Sequence, residues 1–283
     1  MPETTTATAA GTIDIGGDLT VQRMGFGAMR LTGRGIWREP ADPEECRAVL
    51  RRAIELGIDF IDTADSYGPE VSERLIAEAL HPYPENRVIA TKGGLVRPGP
   101  GRWDPDGRPE HLRAACEGSL QRLRLDQIPL YQLHRPDPRV PLEESVGTLA
   151  QLKDEGKIRH IGLSNVDEAE LHRAMAVTPI VSVQNLFNLG NRGSGAVLDV
   201  CETERLAFIP WAPIAQGAPG GRALSRIASA HGATPHQTAL AWLLARSPFM
   251  LPIPGTASVA HLEENVAAAS LRLGQAEVDE LGL

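Results

Sequence analysis

A (β/α)8 barrel is the fold this sequence predicts, and three observations predict it. Eight short apolar runs recur along the chain, at 22–26, 58–63, 87–92, 128–134, 160–165, 180–185, 207–212 and 250–254, with helical patterns between them. Each run is apolar almost throughout, as strands buried on both faces of a parallel sheet are. The long polar segments 30–41, 93–107, 187–194 and 214–221 all follow a strand, whereas the returns from helix to strand, such as ELGI and DEGK, are short. A barrel builds its site from long loops on that one face. A doubly wound open sheet is the runner-up; no GxGxxG follows the first strand to support it.

The elements follow in order. MPETTTATAAG reads as a frayed tail over residues 1–11, and a single domain runs over 12–283. TIDI, GGD and LTVQ make a hairpin at 12–22 that plugs the N-terminal face of the barrel. DPEECRAVLRRAIELG (42–57) has an Asp cap, a proline in its first turn and a terminal glycine, with Val49, Leu50, Ala53 and Ile54 on its buried stripe. Further helices are predicted at 71–80, 108–123, 141–157, 167–176, 195–204, within 221–247 as a pair, and at 259–269, with a last short one at QAEVDEL.

Composition narrows the function classes. The 283 residues carry a formal charge of −8, which argues against non-specific nucleic-acid binding. No stretch approaches the length of a membrane-spanning helix and the N-terminus does not read as a signal peptide, so the expectation is a cytoplasmic chain without a membrane partner. Cys46, Cys116 and Cys201 fit neither a disulfide framework nor a paired metal spacing, and read as reduced, inert thiols. Only three lysines occur: Lys92, Lys153 and Lys157. A chain that otherwise uses arginine draws attention to each of them.

The chemistry sits at strand ends. Strand two ends in Asp62 with Tyr67 just beyond, strand three in Lys92, strand four in His134, strand five in Ser164 and Asn165, strand six in Gln184 and Asn185, and strand seven in Trp211. In a barrel these ends share one mouth. Lys92 there needs a partner, and Asp62 on the adjacent strand is the obvious one. An ammonium beside Tyr67 favours the phenolate, so this reading expects a depressed phenol pKa and a group able to act as acid and base. His134 offers a neutral hydrogen-bonding imidazole. Trp211 can stack on a flat ligand, and Ser164, Asn165 and Gln184 can grip a carboxamide; nicotinamide combines the two. Gly255, Thr256 and Ser258 precede a helix in a manner suited to phosphate, although Ser258 as an ordinary cap accounts for it equally well. HExxH, GxSxG and P-loop motifs are missing, and no metal site is expected. A Schiff-base lysine, as in a barrel aldolase or lyase, is the alternative use of Lys92.

Together these motifs resemble the aldo-keto reductase family. FIDTADSYG, IATK, LYQLHRPDP, GKIRHIGLSN, VSVQNLFN, IPWAPIAQG and IPGTASVAHLEEN appear in the family's order from about residue 12 to 283. Within the family the chain looks most like bacterial reductases of the pyridoxal reductase type. The resemblance implies a catalytic tetrad of Asp62, Tyr67, Lys92 and His134. It implies cofactor contacts from Gly27, Met29, Ser164, Asn165, Gln184, Trp211, Pro213, Thr256, His261, Glu264 and Asn265. NADPH/NADP+ is the expected cofactor, with NADH not excluded. Many members carry Lys before the hydroxyl residue and Arg five positions after it; here Gly255 and His261 stand there, so Arg222 or another loop arginine would have to compensate. A long C-terminal loop is absent, which predicts an open pocket shaped by 30–41 and 93–107, with Trp37 and Trp103 as candidate substrate walls or loop anchors. The implied activity is reduction of a small-molecule aldehyde or ketone by a monomer or weak homo-oligomer. A non-catalytic nicotinamide-nucleotide-binding protein is the remaining alternative.

Overall fold

Turn chemistry fixes the entrance to the fold. β1 (Thr12–Ile15) and β2 (Leu19–Gln22) pair antiparallel around Gly16 and Gly17, both at positive φ, and bury Ile13, Ile15, Leu19 and Val21 on one face. The computed structural model describes residues 6–214 and 221–282.

Strands and helices then alternate. β3 (Phe26–Gly27) leads to α1 (Pro43–Glu55), β4 (Phe60–Asp62), α2 (Val71–Leu80) and β5 (Val88–Gly93). Next comes a small ribbon, β6 (Leu95–Val96) with β7 (Asp104–Pro105), before α3 (Pro109–Leu123) and β8 (Ile128–Leu133). α4 (Leu142–Asp154), β9 (Ile158–Ser164), α5 (Glu168–Met175), β10 (Ser182–Gln184), α6 (Gly195–Glu204) and β11 (Ala207–Phe208) continue the pattern. α7 (Arg222–Ala230), α8 (Pro235–Arg246), α9 (Val259–Ala267) and α10 (Gln275–Gly282) complete the order. Side chains start several of these helices. Asp42 accepts from Glu45 N at 3.0 Å at the head of α1, and capping boxes Asp167/Glu170 and Thr234/Gln237 open α5 and α8.

The main sheet is parallel, in the order β11-β10-β9-β8-β5-β4-β3, and it curls into the expected barrel. Its closure is irregular. The run predicted as an eighth strand, 250–254, forms no regular strand. Leu251 N donates to Phe208 O at 2.9 Å and Phe208 N to Phe249 O at 2.8 Å on one side, while Gly25 N donates to Pro252 O at 3.0 Å on the other. Pro252 and Pro254 have no N–H to give, so a continuous ladder cannot form there.

Two apolar layers hold the wall. Helices bury Leu50, Ile76, Leu149, Leu171 and Leu240 against its outer side. Inside lie Phe60, Val88, Ala90, Leu130, Ile209, Leu251 and Ile253, with the β1–β2 hairpin packed beneath them as the predicted plug. Two residues further along the same strands the inward positions turn polar, to Asp62, Lys92 and Gln132. The change marks the floor of the site.

Several boundaries differ from the prediction. The first predicted strand, 22–26, straddles a turn between β2 and β3. Residues 6–11 of the expected tail are packed rather than frayed. Ala7–Ala10 forms a 3-10 turn, Ala7 is fully buried, and its N–H donates to Leu56 O at 2.8 Å. Small side chains let this segment pack beside α1. The predicted loop 93–107 contains the β6–β7 ribbon, and residues 215–220 of the predicted loop 214–221 lie outside the described residues. The three cysteines are buried free thiols, with burial pushing Cys116 and Cys201 up to about 12. Among the described residues no helix is long and apolar enough to cross a membrane.

Candidate active site

Parallel pairing sets the strand ends side by side. Asp62 is in register with Gly27 and Ala90, Lys92 with Gln132, and Gln184 with Ser164. A cavity of about 400 Å³ opens above them, large enough for a ligand of coenzyme-fragment size.

At its base lies a fully buried ion pair. Lys92 Nζ donates to Asp62 Oδ1 at 2.6 Å, to Thr63 O at 2.7 Å and to the Tyr67 hydroxyl at 3.2 Å. All three ammonium protons are therefore placed. The other Asp62 oxygen accepts from Gln184 Nε2 at 2.8 Å and Gln132 Nε2 at 3.1 Å. Such a pair needs this full set of partners to be tolerated out of water. Burial opposes charge on Lys92, but the attraction of Asp62 and then of Tyr67 outweighs it, and its pKa is raised. A raised, fully hydrogen-bonded ammonium has no lone pair for Schiff-base chemistry.

Tyr67 corrects the sequence-based expectation. Its pKa is raised, not depressed: burial dominates, the Lys92 charge works against it, and Asp62 adds to the rise. The group is thus a neutral phenol at physiological pH. His134 is pushed well below the ordinary imidazole value by burial, then by Lys92, Arg135 and Arg97. It is neutral as expected. Ser66 Oγ sits 3.3 Å from its Nδ1; with that hydroxyl donating, Nε2 carries the proton. The Tyr67 and His134 rings meet edge-on, with centroids 5.8 Å apart.

Farther round the mouth, Asn165 Nδ2 donates to His134 O and to Ser164 Oγ, both at 3.0 Å, and its Oδ1 accepts from Trp211 Nε1 at 3.1 Å. Asn165 and Ala212 both hold left-handed backbone, at φ 58° and 47°. Asn tolerates this region; at Ala212 it stores strain of about 1–3 kcal/mol, a burden that clusters at functional sites. Gly27, Met29, Ser164, Gln184, Trp211, Pro213 and Gly255 line the cavity together with Asp62, Tyr67 and His134. Lys92 sits beneath it.

The remaining candidates divide. Trp103 lines the cavity, its ring centroid 6.4 Å from those of both Tyr67 and His134. Trp37 does not line it; its backbone bridges Gly68 and its ring faces Arg97. Thr256, His261, Glu264 and Asn265 also lie off the cavity lining, at and along α9 beyond Gly255. Thr256 Oγ1 accepts from Ser258 N at 3.1 Å, Glu264 Oε1 accepts from Thr234 Oγ1 at 2.9 Å, and Asn265 is buried. Ser258 makes no side-chain cap, so the first N–H groups of α9 have no such partner.

Four functional positions escaped the sequence reading. Gln132, two residues before His134 on the same strand face, was findable by alternation. Ser66, Arg97 and Arg30 were not, since loop residues carry no period. Arg30 lines the cavity beside Gly255, whose Cβ would meet its Cγ at 3.7 Å; Arg222 instead begins α7 and is absent from the lining. Among the described residues no group of three or more His, Cys, Asp or Glu is arranged to hold a metal.

Comparison with known proteins gives a consistent result. The chain is 53% identical over 281 residues to an uncharacterized oxidoreductase of Schizosaccharomyces pombe, covering 98% of this chain and 91% of the relative. It is 40% identical over 267 residues to pyridoxine 4-dehydrogenase of Escherichia coli, covering 92% and 93%. Among solved structures, a thermostable aldo-keto reductase in complex with the inhibitor epalrestat superposes with a TM-score of 0.84 at 30% identity, covering 95% of this chain and 98% of that one. An aldo/keto reductase from Klebsiella pneumoniae in complex with NADP and acetate gives 0.81 at 29%, covering 95% and 93%. The family model for aldo/keto reductases matches residues 23–282, and with these relatives it shows that the chain belongs to the aldo/keto reductase family.

Proposed function

We propose that the chain reduces an aldehyde or ketone to the alcohol with NADPH, Tyr67 giving the proton to the carbonyl oxygen. The observation that carries this reading is the placement of a neutral phenol 3.2 Å from a fixed ammonium, at the base of a cavity that a neutral imidazole also lines.

The residues fit a nicotinamide nucleotide. Asp62 holds Gln184 Nε2, which leaves Gln184 Oε1 to accept from a carboxamide, while the Ser164 hydroxyl can donate to it. Trp211 supplies a ring for stacking, and Asn165 holds that ring by its Nε1. Gly27, Met29 and Pro213 complete the walls. Thr256 and the N–H groups at the start of α9 suit a phosphate; Glu264 and Asn265 suit the adenine end. Arg30 supplies a cation beside Gly255, and His261 stands exposed on the first turn of α9. NADP is bound in the solved Klebsiella pneumoniae relative, which supports the same assignment here.

When bound, the reduced nicotinamide supplies the hydride. The protein's own residues manage the charge. Tyr67 gives its proton to the carbonyl oxygen as negative charge grows there. Lys92, anchored by Asp62 and Thr63 O, stabilises the phenolate left behind without moving. Neutral His134 offers an N–H to the same oxygen and so orients the carbonyl. Gln132 and Gln184 keep Asp62 in place.

The pyridoxine 4-dehydrogenase relative favours a pyridoxal-like aldehyde as substrate. The cavity lining runs from Gly27 to Gly255, which supports one catalytic domain from residue 12 onward; we infer that it acts in the cytoplasm as a monomer or weak homo-oligomer. Tyr67→Phe should lower aldehyde-dependent NADPH consumption roughly a hundred- to ten-thousandfold. NADPH binding, followed by fluorescence titration, should not change. Turnover retained in that variant overturns the reading, as does a borohydride-trapped adduct on Lys92.

A further inference from the structure

Arg97 is 8% exposed, and among the described residues no carboxylate pairs with it. A buried guanidinium in that position is costly unless its donors are used. They are used on backbone. Its Nε donates to Arg102 O at 2.8 Å, Nη1 to Ile36 O at 3.0 Å and Ser66 O at 3.1 Å, and Nη2 to Gly35 O at 3.4 Å. Gly35 and Ile36 lie in the loop after β3, Ser66 in the loop after β4, and Arg102 in the β6–β7 turn that Arg97 itself begins. The guanidinium carbon also lies 3.6 Å from the Trp103 ring centroid and 5.5 Å from that of Trp37. A planar cation at the first distance covers one face of the indole. The Trp103 ring also meets the Tyr67 and His134 rings in T-shaped contacts, each with its centroid 6.4 Å away.

We propose that Arg97 is a positioning residue that ties three loops together and holds Trp103 as the wall against which a large apolar substituent on the carbonyl packs. The inference rests on the reductase reading for its substrate and goes beyond it in naming what selects that substrate. Trp103 is half-buried in the turn just before β7, a segment with little regular structure, so the guanidinium on its face is a main restraint on the ring beside the Tyr67 and His134 rings. A small carbonyl compound held by Tyr67 and His134 offers that wall little apolar surface to bury. Ser66 O, another of the anchored carbonyls, belongs to the residue whose hydroxyl meets His134. Arg97 thus supports the wall and the loop bearing Ser66 and Tyr67 together. Lysine cannot replace it, because a point ammonium lacks both the flat face and the fork of donors.

The test compares Arg97→Met, Arg97→Lys and Trp103→Ala with the unmodified enzyme, using naphthaldehyde and propanal as substrates. Arg97→Met should raise KM for naphthaldehyde about tenfold, the scale of one lost aromatic contact, with KM for propanal within about twofold, while kcat should fall for both aldehydes because the loop bearing Tyr67 loses an anchor. Arg97→Lys should not restore the preference, and adding Arg97→Met to Trp103→Ala should leave the KM ratio unchanged. In protein labelled with fluorotryptophan, the Trp103 fluorine resonance, assigned by its loss in Trp103→Ala, should shift or broaden in Arg97→Met while that of Trp242 holds. Equal rises in KM for both aldehydes, or a Trp103 resonance that does not change, overturn the proposal. If the unmodified enzyme reduces neither aldehyde, the reductase reading fails by itself and the resonance decides the positioning claim. If Arg97→Met does not fold, Arg97→Lys and Trp103→Ala still decide it through the KM ratio: Arg97→Lys must lose the naphthaldehyde preference, and Trp103→Ala must abolish it.

Discussion

Lys92 Nζ lies 3.2 Å from the Tyr67 hydroxyl, yet the phenol holds its proton more tightly than a free tyrosine does. Burial around Tyr67 exceeds what the ammonium returns, and Asp62 cancels part of that return. The resting site is therefore loaded with its acid, and the ammonium's contribution comes chiefly once the proton has left.

A pH profile follows from that sign. For carbonyl reduction, kcat should stay level from about pH 6 to about pH 9 and fall only above the ordinary phenol value of ~10. Alcohol oxidation, which needs the phenolate, should rise across the same range. His134 is already neutral there and should add no inflection near its ordinary value. Steady-state kinetics in both directions provide the check; a reductive kcat that falls through about pH 7 would contradict the assignment.

Lys92→Met should cost stability as well as activity. It leaves the Asp62 carboxylate buried with only the two glutamine amides, a loss of about 3–5 kcal/mol. Asp62→Asn combined with Lys92→Met removes both charges and should recover a substantial part. Urea unfolding of the single and double variants measures the difference.

Asp137 ties the loop before α3 to the loop after β8. It accepts from Gly107 N at 3.1 Å and from Arg139 Nε at 2.9 Å, and the Arg139 hydrogen bonds pull its pKa down to about 2. A carboxyl depressed in the folded state stabilises it above the unfolded value of ~3.9, and that stability disappears as pH falls from about 4 toward about 2. Arg139 is largely exposed, so solvent screening reduces the effect to about 1–2 kcal/mol. Asp137→Asn should lose that amount at neutral pH and show a flatter decline of Tm on acidification.

His261→Arg restores a guanidinium on the first turn of α9. NADPH should bind about tenfold more tightly, the scale of one charge-assisted contact, with NADH nearly unaffected. Fluorescence titration with both nucleotides tests this. Equal changes for the two would show that His261 does not face the extra phosphate that NADPH carries and NADH lacks.

Most of the barrel was legible in the sequence because buried parallel strands are continuously apolar and their helices carry caps such as Asp42, Asp167 and Thr234. Its last strand was not. The run that ends in Pro252 and Pro254 has a strand's hydrophobicity without a strand's donors. Site residues at strand ends, Asp62, Lys92, His134 and Gln184, were visible because each polar residue interrupts an apolar run. The sign of the Tyr67 shift was hidden, since it depends on how completely three dimensions enclose the ring. Arg97 escaped for a related reason: its partners are carbonyl oxygens, which every residue has, on loops far apart in the chain.

Two glycines on the seam between β3 and the closing segment have no room for a side chain. A Cβ on Gly27 would stand 2.7 Å from Ile253 O, and one on Gly255 only 2.3 Å from Gly27 O. Diversification of this catalyst is therefore channelled. Substitutions at these two glycines are barred by backbone contact, whichever carbonyl compound is to be admitted, while the loops clasped by Arg97 can vary around an unaltered core. Directed evolution of its substrate range should accumulate winners in 30–41 and 93–107 and leave the join untouched.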